Sequence, residues 1–68
     1  MNDSRYWMVQ AMLAYGGQFV KALARCYEAA DDENAAKLDA AFPEYVATYG
    51  PRGEAMQQRD KLTPTEAA

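Results

Sequence analysis

The 68 residues suffice for one domain at most, and a chain this short buries only about 60% of its unfolded surface, so its core is lean. A single cysteine rules out an internal disulfide, and the lack of histidine rules out a Cys/His zinc site and any imidazole chemistry. The net charge of −3 speaks against a binder of phosphate backbones, which needs a basic patch, and is too mild for a mimic of DNA.

Half of the residues are apolar, many of them alanine; isoleucine is absent, and valine and threonine are few. That composition favours helix over sheet, so the expected class is all-α. No apolar run approaches the roughly 20 residues that span a bilayer, which points away from a membrane. The opening "MNDSRYWMVQ" lacks the uninterrupted apolar stretch of a secretion signal. A lone thiol suits a reducing compartment, and the expected location is the cytoplasm.

In chain order, "NDS" at 2–4 offers capping side chains ahead of a proline-free periodic run, and the spacing predicts a first helix over about 4–30. Met8, Met12, Tyr15, Phe19, Leu23 and Cys26 fall on one stripe, and Val9, Leu13, Val20 and Tyr27 on the next. Together they cover about half the circumference, more than the 100° or so of a one-sided surface helix. A face that wide predicts two neighbours: the next helix of the chain, and either a second copy or a partner protein, or else a short third helix. The expectation adopted is a homodimer or small oligomer burying Val9, Leu13, Val20 and Tyr27.

Gly16 and Gly17 interrupt this run, each costing roughly 0.5–1 kcal/mol in a helix interior. Ending the helix there separates Phe19, Val20 and Leu23 from the phase they share with Met8 and Met12. The expectation is therefore a continuous helix, flat at Gly16 so that another backbone can cross.

"AADDENAAKL" at 29–38 marks a boundary, with Asp31 and Asp32 as cap candidates and Glu33 at the positive end of the helix dipole. A second helix follows over about 32–42, with Glu33 and Lys37 as an i,i+4 pair. Pro43 either kinks this helix or opens a short third one over about 43–50, the latter being preferred. "YGPRG" at 49–53 should end it, leaving residues 51–68 as a polar, weakly ordered tail after a helical domain of residues 1–50. The expected architecture is thus a helical hairpin with a short third helix, associating as a dimer.

No catalytic constellation is legible. Cys26 has no base to activate it and shares a phase with Met12, Phe19 and Leu23, so a buried thiol is expected. Asp31, Asp32 and Glu33 lack the alternating oxygen ligands of a calcium loop, and no cofactor or metal is expected. The aromatic content is more telling, at 12%. Trp7 falls with Gln18 and Arg25 on the polar side of the first helix, either as a lid over the hairpin or as an exposed anchor of the type enriched at interfaces. The candidate contact residues are Trp7, Val9, Leu13, Gly16, Val20, Arg25 and Tyr27, with the acidic turn Asp31, Asp32 and Glu33.

Finally, "AADDENAAKLDAAFPEYVATYG" is similar to small uncharacterised helical proteins of tailed phages, prophages and mobile elements. Asp32, Asn34, Leu38, Phe42, Pro43, Glu44, Tyr45 and Tyr49 carry the resemblance, which covers about residues 10–50 and brings no catalytic residues. It implies a binder that blocks a host protein or multiprotein defence complex in the bacterial cytoplasm, as anti-CRISPR proteins do. The alternative is a small assembly or scaffold module of phage morphogenesis.

Overall fold

The computed structural model describes residues 3–62, of which Leu62 is described in its backbone only. Four helices follow one another: α1 (Asp3–Tyr15), α2 (Gln18–Ala29), α3 (Asp32–Ala41) and α4 (Pro43–Leu62), with no strand among the described residues. The all-α class is therefore correct, whereas the division of the chain into helices differs from the expectation in two places.

The first difference is at Gly16–Gly17, where the chain turns a corner instead of continuing as one helix. Gly16 N–H closes the last turn of α1 on Met12 C=O at 2.9 Å, and Lys21 N–H opens the first turn of α2 on Gly17 C=O at 2.9 Å. Gly17 sits between them in extended backbone (φ −81°, ψ −165°) as the N-cap of α2, without a side chain to cap it. The two glycines lower the cost of stopping the helix, and stopping lets its two halves pack on each other. A continuous helix would hold them apart end to end. Gly16 is needed because the corner is tight: a Cβ there would meet the Val20 side chain and lie 2.6 Å from Met12 C=O.

The corner decides what is buried. Met8, Val9 and Met12 of α1 meet Val20, Leu23, Ala24 and Tyr27 of α2, with Ala35 of α3, in one core. Val9, Val20 and Tyr27, expected at a dimer interface, are thus spent inside the chain, and Leu13 packs partly buried against the same core. Cys26, expected inside, is exposed, as are Tyr15 and Phe19. Once the helix is folded at its middle, each half buries only the arc that faces the other.

α3 starts as its sequence indicates. Asp31 accepts a hydrogen bond from Asn34 N–H at 2.8 Å, and Glu33 and Lys37 approach to 3.8 Å on the surface. At its other end Phe42 leaves the helical region (φ −131°, ψ 58°), the direction in which the crowding of a following proline pushes a residue with a Cβ, and Pro43 opens α4.

The second difference is that α4 runs on for 20 residues, through Pro51, to Leu62. The helix expected at 43–50 is the first part of a longer one, and residues 51–62 are helix rather than tail; residues 63–68 lie outside the described residues. Proline inside a helix loses one hydrogen bond and presses its ring on the preceding residue. At Gly50 that residue has no Cβ to press on. Gly53, buried, then brings α4 against the backbone of α1, where a Cβ would come 2.6 Å from Trp7 C=O and Met8 N. The close backbone crossing expected at Gly16 is made by Gly53, and α1 against α4 is the most extensive helix contact.

Candidate interaction surface

Three helices meet at one polar knot. Arg5 of α1 donates to Asp39 Oδ2 of α3 at 2.7 Å, and the Tyr27 hydroxyl of α2 donates to Asp39 Oδ1 at 2.7 Å. Burial first, then the hydrogen bond to Asp39 and its negative charge, push the Tyr27 phenol far above its ordinary range, with the positive charge of Arg5 opposing. The phenol keeps its proton and serves as a hydrogen-bond donor that ties α2 to α3. The cleft beside this knot, between Arg5, Met8, Asp39, Val46 and Glu54, holds about 180 Å³, less than the roughly 300 Å³ at which small-molecule sites begin. Among the described residues no three Cys, Asp or Glu side chains converge to hold a metal ion.

The exposed aromatic residues are the distinctive feature of the surface. At the α1–α2 corner Phe19 is 55% exposed and Tyr15 51%. Phe19 meets the rings of Phe42 and Tyr45, each at 5.8 Å between centroids, and those two lie 6.1 Å apart. The Arg52 guanidinium stands 5.6 Å from the centroid of the Tyr15 ring. Farther along, Trp7, Met56, Arg59 and Asp60 line an open groove of about 320 Å³ between α1 and α4. Tyr6 meets the Trp7 ring edge-on, 5.3 Å away and inclined at 87°.

The residues singled out from the sequence do not form one surface. Val9, Val20 and Tyr27 belong to the core and Leu13 borders it; Gly16 makes the corner. Arg25 is exposed on α2. Asp31 spends its carboxylate as a cap, Glu33 pairs with Lys37, and Asp32 is exposed beside them. Trp7 is half-buried: its backbone carries the Gly53 crossing while its side chain walls the groove. Phe19, Phe42, Tyr45 and Arg52 are not among the candidate contact residues. Their signal, Tyr45 and Arg52 in step on one side of a helix, is legible only once that helix is known to pass Pro51. No family model matches the chain, and neither a curated protein nor a solved structure does.

Proposed function

We propose that the chain is a non-enzymatic binding protein that acts by covering a surface of another protein. The observation that carries this reading is the aromatic cluster at the corner of α1 and α2, where Phe19 keeps 55% of its surface exposed although a core lies beside it. Phe19 and Tyr15 lie open to water, Phe42 and Tyr45 are half-buried beside Phe19, and Arg52 stands over Tyr15; aromatic residues with an arginine are the composition of interface centres. The resemblance to small phage and mobile-element proteins supports a host protein or defence complex as the target, with inhibition by occupancy in the anti-CRISPR manner.

Self-association belongs to this reading only through the surface that remains exposed, since the stripe expected to mediate it is inside. Affinity capture from a bacterial lysate, compared between the unaltered chain and Phe19→Ala, tests the proposal. A host protein recovered with the first and lost with the second supports it. Recovery of virion or assembly components instead favours a morphogenesis module, and the same proteins on both baits overturn the role of this surface.

A further inference from the structure

α4 carries a second pattern beside the one it buries. Tyr45, Arg52, Met56 and Arg59 succeed one another at intervals of seven, four and three residues, which places them within a narrow arc of the helix. Each lies with an aromatic side chain from another part of the chain: Tyr45 with Phe19 and Phe42, Arg52 with Tyr15, Met56 and Arg59 with Trp7 in the groove. At 1.5 Å per residue the row is about 21 Å long. Its two charged members are both arginine, in a chain whose net charge is −3. Glu54, by contrast, lines the cleft next to Arg5, while Asp60 lines the groove beside Arg59 and is the one carboxylate among its lining residues.

We infer that this row is the docking site for an extended, acidic segment of a partner protein, with proline or other apolar side chains between its carboxylates. Aromatic side chains along a shallow surface suit a polyproline II strand, which needs no backbone partner and lays its rings on them. About seven residues of such a strand, at 3.1 Å each, match the row's length. Arg52 and Arg59 are seven helical residues, about 10.5 Å, apart. Carboxylates three or four residues apart in the strand have that spacing. A guanidinium seated over a ring still offers its N–H edge to a carboxylate, so the Arg52–Tyr15 pair is prepared for one. The positive row selects against basic segments, and the row must do so locally, because the net charge of the chain is −3.

This inference rests on the reading of the chain as a protein binder, and it has its own test. Trp7 is the single tryptophan and walls the groove, so its fluorescence reports occupancy. The probe is a synthetic seven-residue peptide of alternating proline and leucine with glutamates at its second and fifth positions; its counterpart carries lysines there. The glutamate peptide should shift Trp7 emission saturably, and the lysine peptide should bind at least tenfold more weakly. Arg52→Glu should abolish that preference, and Phe19→Ala should weaken binding about tenfold, both with unchanged helical circular dichroism. Equal response to both peptides, no response to either, or indifference to Arg52→Glu overturns the inference. So does an emission that follows the protein's own concentration together with sedimentation as a dimer, which puts a second copy on the row. If the peptides fail while lysate capture still depends on Phe19, docking of an acidic extended segment is overturned and the binder reading stands.

Discussion

Tyr27 joins burial to polarity within one side chain. It is 1% exposed, yet its hydroxyl donates to Asp39, which Arg5 holds from the other side. A hydrogen bond to a charged acceptor contributes about 1.5–3 kcal/mol, so Tyr27→Phe should lower the unfolding free energy by about that amount in a urea titration. The phenol's ionisation is raised in the folded chain above its ordinary value near 10. The folded state therefore holds this proton more tightly than the unfolded state does. Its contribution is complete below pH 10 and is lost as the pH rises beyond it. Denaturation midpoints at pH 8 and pH 11 should differ more for the unaltered chain than for Tyr27→Phe.

Glycines at 16, 17 and 53 have three separate roles, which substitution distinguishes. At Gly53 an added Cβ meets α1 backbone at 2.5 Å, and backbone cannot swing aside as the end of a side chain can. Gly53→Ala should therefore cost about 1–3 kcal/mol, read as a fall in melting temperature. Gly17 has open space around it and a negative φ. Gly17→Asp supplies the missing N-cap and restrains the unfolded chain, and should raise stability by about 0.5–1 kcal/mol.

Among the helices, the boundaries that rest on local chemistry follow the sequence. Asp31 caps α3, Phe42 leaves helix ahead of Pro43, and Pro43 opens α4, each because the deciding contact lies within four residues. Asp31→Ala should cost about 1 kcal/mol, and Asp31→Asn should restore most of it, by thermal denaturation. The two boundaries read differently are those that packing decides. Gly16–Gly17 preserves helical phase across a corner, so periodicity alone reads straight through it. Pro51 looks like a stop, yet Gly50 relieves its ring and Gly53 fastens the continuing helix to α1.

For the molecule as a whole, the division of aromatic and aliphatic residues between core and surface separates stability from binding. Leu23, 4% exposed in the core, should cost about 2–5 kcal/mol as Leu23→Ala. Phe19, 55% exposed, should cost less than about 1 kcal/mol as Phe19→Ala, by the same denaturant titration, although both share α2. If the two losses were equal, Phe19 would be a core residue and the interaction surface would lie elsewhere.

The sequence by itself determined the helical class, the α3 cap, the start of α4 at Pro43, and the lack of histidine-based chemistry, because these depend on composition or on neighbours within one turn. It also supplied most of the core: Met8, Val9, Met12, Val20, Leu23 and Tyr27 all lie on the stripes. What those stripes pack against was decided only by the tertiary structure. The corner at Gly16–Gly17 turned an expected contact between copies into an intramolecular one, and the passage of α4 through Pro51 assembled the aromatic and arginine row. Both depend on contacts between segments distant in sequence, and no periodicity within one helix encodes the direction in which the next one leaves.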